Sequence, residues 1–250
     1  MAVSHASLGP AAVAFLAGSL AMMFFIILAG VADSPPLNNT YFLEASTDGV
    51  RGARSTSRWT YLHVCGPANL DCSPARPAPG VGSAWPNGGA GAPTELLGPW
   101  DGNTTSEYYW YMWRFGWVLF LIALFFEVMA FFASFIACLG RLGSAVAGLV
   151  SMGALFFLTI AVALMTATFV KMRDAFLAAG TDAHIGTYAF GFAWGAWAAL
   201  LIATGLLVAG VRGGSKADRS RSRRWGKRQR SVRSRRPHEM GSRRVKDNYA

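Results

Sequence analysis

Hydrophobic positions fall into four blocks, at residues 11–32, 115–138, 145–170 and 187–211, with polar sequence between them. A helix needs about 20 apolar residues to cross a bilayer, and each block meets that length. Buried helices of a soluble protein would show polar residues recurring at the helical period, and none of the four does. The pattern predicts a mainly α membrane protein, a bundle of four transmembrane helices. Around them lie a short N-terminal segment (1–10), a long loop (33–114), a tight turn (139–144), a short, weakly structured link (171–186) and a tail (212–250). Gly30-Val31-Ala32 has the small residues of a signal-peptide cleavage site, yet no Lys or Arg precedes the first block. Its apolar run also exceeds the about 7–15 residues of a signal core, so it is read as a retained span.

Charge adds the orientation. The tail from Arg212 holds 15 Lys and Arg residues against Asp218, Glu239 and Asp247, which makes it more positive than the whole chain at +10. By the positive-inside rule the tail is cytoplasmic, and four spans then place the N-terminus there too, with 33–114 and 171–186 outside. Two N-glycosylation sequons, at Asn38 and Asn103, fall in the long loop. So do Cys65 and Cys72, on the side of the membrane where thiols oxidise.

The long loop changes character along its length. Residues 58–64 (RWTYLHV) read as a strand and 41–44 (YFLE) as a weaker one, with turns at Gly49, Gly52 and Gly66-Pro67. From 73 to 102 Pro and Gly take over, and the segment reads as an irregular excursion with too little apolar content to offset chain entropy. A disulfide between Cys65 and Cys72 would staple the small extracellular β subdomain, contributing roughly 2.5 kcal/mol. Two free thiols are the alternative; with only His63 close by, the pair makes a poor zinc site. Tyr108, Tyr109, Trp110, Tyr111, Trp113 and Trp117 crowd the approach to the second block and read as an interfacial aromatic belt, or alternatively as a carbohydrate-stacking platform.

A long first loop with two cysteines, a Trp ahead of the first, four spans and a cytoplasmic tail together resemble the fungal Sur-seven/PalI family. The run YFLEASTDGVRGARSTSRWTYLHVC is similar to that family's acidic-Thr stretch, Ser/Thr-rich turn, Arg-Trp-Thr and cysteine, matched here by Glu44, Thr47, Arg58, Trp59, Thr60, Cys65 and Cys72. It is also similar to the claudin-like pattern of a Trp followed by two cysteines, but the Gly-Leu-Trp before the first cysteine is missing, so barrier chemistry is not carried over. The resemblance implies an organising protein of the fungal plasma membrane, resident in cortical eisosome-type domains and tied to cell-wall integrity and endocytosis. Its PalI branch implies instead a membrane sensor component of ambient-pH signalling.

Within the spans, Gly191-x-x-x-Gly195-x-x-x-Ala199 and Ala14-x-x-x-Gly18 put small residues on one helix face, which favours close helix approach in lipid. Packing within the bundle is the expectation, lateral self-association the alternative. Glu127 lies near the middle of the second block, where a carboxylate is costly. It is read as protonated and hydrogen-bonded inside the bundle, with a channel or transporter as the rival. Cys138, at the inner boundary, is a candidate for palmitoylation.

The tail is too polar and charged to form a core and is expected to be disordered. Its basic residues, among them Arg221, Arg223, Arg224, Lys227, Arg228 and Arg230, suit the anionic inner leaflet, at about 1 kcal/mol each. Ser220, Ser222, Ser231 and Ser234 have basic neighbours, and phosphorylating them would weaken that attraction. Cortical scaffold proteins and wall polymers are further expected partners, nucleic acid is not. The four His residues are scattered, and no catalytic, cofactor or metal-ligand pattern is read, so an enzyme is not expected.

Overall fold

The computed structural model describes residues 5–137 and 141–233, with side chains at 9–135 and 143–210. Four long helices, α1 (His5–Ile27), α3 (Glu107–Ala137), α4 (Arg141–Ala178) and α5 (Thr187–Arg233), contain spans at Gly9–Ile27, Glu107–Phe135, Gly143–Ala178 and Thr187–Gly210. A four-residue turn, α2 (Trp100–Asn103), precedes α3. At about 1.5 Å per residue the 38-residue α4 is roughly 57 Å long, well beyond the about 30 Å of a hydrocarbon core. The 31-residue α3 likewise begins at Glu107 instead of 115. The paired ends of α3 and α4 thus project past the apolar blocks and form a platform.

The bundle is built on a seven-residue repeat of small residues. Ala147, Ala154 and Ala161 on α4, Ala123 and Ala130 on α3, and Ala189, Ala196 and Ala203 on α5 are all buried. Larger partners sit at the complementary positions, Leu158, Met165 and Met172 on α4, and Leu200 and Leu207 on α5. Repeats of seven keep one seam facing inward, and in lipid small seam residues let helices close on each other. A Cβ on Gly116 of α3 would come within 3.0 Å of Met165. Bulk is turned outward instead: Phe115, Phe125, Phe132 and Phe135 are all more than half exposed along α3.

Both loops on the platform side contribute to one antiparallel sheet in the order β3–β2–β1–β4, with β1 (Leu43–Ser46), β2 (Thr56–Trp59), β3 (Val64–Cys65) and β4 (Ala183–Ile185). The single strand expected over 58–64 is in fact a hairpin. Thr60 turns the chain by donating its N–H to His63 O and accepting the His63 N–H on its hydroxyl. The link after α4 also departs from expectation: α4 runs to Ala178 because Met172, Ala175 and Phe176 continue its buried face, and residues 183–185 pair with β1. Two loops separated by α3 and α4 meet in one sheet, so both lie on the same side of the bundle.

An aromatic seam fixes the sheet to the platform. Phe42 stacks on Phe169 of α4 at 4.9 Å and meets Trp113 of α3 and Phe190 of α5, each at 5.6 Å. Trp59 leans on Phe176 at 5.8 Å. Tyr61 stacks on Trp117 at 5.3 Å, donates its hydroxyl to Trp117 O (2.9 Å) and accepts the Trp117 indole N–H on its own carbonyl (3.1 Å). The space between Trp59, Trp113 and Phe169 leaves no room for water. Hence part of the expected interfacial belt is core: Tyr109 and Trp113 are buried, while Tyr108 and Tyr111 remain exposed. The Pro- and Gly-rich excursion stays irregular but is not loose. It buries Val81, Trp85 and Leu96, with the Trp85 indole donating to Thr104 O; it needs no core of its own because it shares this one.

Past Val211 the chain forms a separate unit. Its backbone is helical to Arg233.

The Cys65–Cys72 disulfide forms and lies against Gly30, just beyond α1. Gly30 has φ +83°, and a Cβ there would stand 3.1 Å from Cys65 Sγ and 3.3 Å from Cys72 Sγ. Gly30→Ala should therefore cost about 1–3 kcal/mol through backbone strain and crowding, read as a lower Tm of the detergent-solubilised protein under non-reducing conditions; an unchanged Tm would contradict this placement.

Candidate functional site

The residues that carry the sequence signature converge on the sheet and divide between its two faces. Alternation along β1 and β2 turns Leu43, Ala45, Ser57 and Trp59 inward and Glu44, Ser46, Thr56 and Arg58 outward. Register places Leu43 opposite Trp59 and Glu44 opposite both Arg58 and His184. The inward set joins the aromatic seam, with the Trp59 indole donating to Val81 O at 3.1 Å. Thr47 closes the far end of the hairpin: its hydroxyl donates to Arg54 O (2.7 Å) and lies 2.9 Å from the Ser57 hydroxyl. Thr60 forms the other turn, and Cys65 and Cys72 staple β3 to the segment after it. Of the seven signature residues, five hold the sheet in shape.

Glu44 and Arg58 are the two that look outward. Their side chains form an ion pair through Arg58 Nε and Glu44 Oε2. The same guanidinium lies 4.5 Å over the Tyr41 ring and donates to Asn38 O at 3.4 Å. Burial, then the Glu44 charge, pushes the Tyr41 phenol up, with Arg58 opposing. Tyr61 is raised far more strongly, by burial alone, and stays a neutral hydrogen-bond donor. Beside the disulfide, the Arg54 guanidinium 2.8 Å from Asp71 holds that exposed carboxyl below its usual range, first by hydrogen bond and then by charge. The outer face is a charge-paired surface backed by a dry core.

Several contributors were not read from the sequence. Asn69, at φ +54°, sends both amide hydrogens to Leu37 O (2.7 Å) and Thr40 O (2.8 Å), tying the disulfide loop to the entry of β1. The run of positive φ at Ala68, Asn69 and Asp71 has only the local CGPANLDC as a signal. His184 could not be found at all, since its place at the sheet edge depends on pairing across some 140 residues of chain.

Other candidates fall elsewhere. The Asn103 side chain is exposed, whereas Asn38 is half-buried and donates to Asp33 at 3.4 Å. Gly191, Gly18 and Ala14 face outward, whereas a Cβ on Gly195 would stand 3.0 Å from Met22 Sδ of α1. Glu127 is fully buried on the α3 seam beside Ser19, whose hydroxyl also donates to Ala196 O at 2.9 Å. Among the described residues no cluster of His, Cys, Asp and Glu could hold a metal. The tail side chains Arg221, Arg223, Arg224, Lys227, Arg228, Arg230, Ser220, Ser222 and Ser231 lie outside the described set, as do Ser234 and Cys138.

Because the Glu44–Arg58 pair is half-buried, its coupling should exceed that of a fully exposed pair. A double-mutant cycle with Glu44→Gln and Arg58→Gln, read by thermal unfolding, should give about 1 kcal/mol; additive effects would show that the two side chains act independently.

Comparison with known proteins agrees with this construction. Residues 8–206 match the SUR7/PalI family. The chain is 34% identical over 199 residues to Protein SUR7 of Candida albicans, covering 79% of this chain and 72% of that protein. It is 34% identical to the SUR7 family protein FMP45 of Saccharomyces cerevisiae, over 72% of this chain and 58% of the relative. An uncharacterized plasma membrane protein of the same yeast is also 34% identical, with 60% of its length covered. The matched part thus spans less than two thirds of both yeast relatives. The matched residues take in three spans whole, most of the fourth and the whole sheet, and the chain belongs to the SUR7/PalI family.

Proposed function

We propose that this integral membrane protein acts as a structural organiser of the fungal plasma membrane, in cortical domains of the eisosome type that bear on cell-wall integrity and endocytosis. The observation that carries the reading is the sheet itself, drawn from two loops and locked to three helices, which offers a rigid charged face instead of a mobile loop or a reaction centre. With the basic tail in the cytoplasm, that face looks toward the wall, and Glu44, Arg58 and His184 are its ionisable groups. The outward-facing small residues Gly18 and Gly191 leave helix surfaces where copies can meet in the bilayer. The tail supplies charge for anionic lipid or a cytoplasmic scaffold. Family membership and the plasma-membrane description of one relative support the location.

Imaging a fluorescently tagged full-length copy at native expression tests this. Static cortical patches that persist over minutes are expected, and replacing the six tail arginines and lysines named above by Gln should disperse them. Uniform membrane signal combined with a growth defect confined to alkaline medium would favour the pH-sensor reading and contradict the organiser.

A further inference from the structure

A groove of about 510 Å³ opens where the projecting ends of α3 and α4 meet the loop segment that leads into α3. Its polar lining consists of Glu95, Ser106, Tyr108, Tyr109, Lys171 and Asp174. Tyr109 also belongs to the buried core, but neither the seam nor the outer face of the sheet uses Glu95, Tyr108, Lys171 or Asp174. Lys171 directly follows the apolar block that ends at 170, and Asp174 lies about 4.5 Å further along α4. Since the headgroup layer is about 5–7 Å thick on each face of a bilayer, Lys171 and Asp174 stand at headgroup height.

The lining holds opposite charges that do not neutralise each other. Among the described residues, neither Lys171 nor Glu95 has an ion-pair partner; Asp174 is paired only with its sequence neighbour Arg173, at 2.6 Å. The Lys171 ammonium rests 4.7 Å from the centre of the Tyr108 ring. An occupant with a phosphate for Lys171 and an ammonium for Glu95 and Asp174, next to Tyr faces that favour cations, would satisfy all of these at once. A neutral sugar would leave the separated charges unmatched, and a purely anionic group would meet two carboxylates.

We propose that this groove binds the zwitterionic headgroup of a phospholipid, phosphate with ammonium, from the leaflet next to the sheet. Lys171 takes the phosphate, and Glu95 and Asp174 take the ammonium. The acyl chains descend along the exposed aromatic flank of α3. The site is open and its charges are exposed, so it is suited to a ligand held nearby at high local concentration by the bilayer.

The test titrates full-length protein in maltoside micelles, with affinity read by thermophoresis. The probes are dihexanoylphosphatidylcholine, dihexanoylphosphatidylglycerol and glycerophosphocholine. The choline lipid should bind about tenfold more tightly than the glycerol lipid, which lacks the ammonium, and more tightly than the free headgroup. Lys171→Gln and Glu95→Gln should each weaken the choline lipid about tenfold while leaving Tm unchanged, since both side chains are exposed. Equal affinity for the two lipids, or full binding by both variants, would overturn the zwitterion site. Glycerophosphocholine binding as tightly as the lipid would overturn the membrane source, and a glucan hexasaccharide binding where the lipid does not would assign the groove to carbohydrate.

Discussion

The architecture depends on a dry aromatic seam between the sheet and the ends of the helices. Phe42, Trp59 and Tyr61 come from the sheet and its turns, Trp113 and Trp117 from α3, Phe169 and Phe176 from α4, and Phe190 from α5. A four-stranded sheet this small, with strands of two to four residues, has too little buried area to persist alone in water. Seating it on three helices supplies the missing core. The Tyr61–Trp117 pair shows how closely the two parts fit, since each ring satisfies a backbone carbonyl of the other. Removing the Trp117 ring takes away the indole donor to the Tyr61 carbonyl, in addition to the lost stacking.

The same seam explains why the helices are longer than a bilayer requires. Residues 107–114 and 171–178 lie outside the apolar blocks yet remain helical, because Tyr109, Trp113, Met172 and Phe176 bury one side of each extension. The groove lined by Lys171 and Glu95 exists for the same reason: it is the gap left where the extended pair diverges from the loop that covers it. Fold and surface chemistry on this side of the protein share one cause.

Much of this was legible in the sequence, and the parts that were not have physical reasons. Four spans, the disulfide and an antiparallel sheet around Glu44 and Arg58 follow from apolar block length, cysteine placement and β-branched or aromatic runs. The hairpin turn at Thr60 was hidden because RWTYLHV is uniformly strand-forming, and only the Thr60–His63 hydrogen bonds break it. β4 was hidden because a three-residue strand with no partner nearby in sequence carries no local pattern. The helix seam was readable but was sought at the wrong period. Gly191 and Gly195 repeat every four residues, whereas the packed face uses Ala189, Ala196 and Ala203, every seven. Glu127 lies fully buried in the bundle, next to Ser19.

The central claim is that the sheet has no stability apart from its seat on the helices. Hydrogen exchange on the full-length protein in nanodiscs, comparing the native sequence with Phe176→Ala, tests this most directly. Phe176 lies on α4 and forms no part of the sheet, and deleting its ring should cost about 3–5 kcal/mol. The account predicts that amide protection in β1 and β2 falls at least about tenfold along with that of the α4 extension. Loss of protection confined to α4, with the sheet amides unchanged, would contradict it and return the sheet to the status of an independent subdomain.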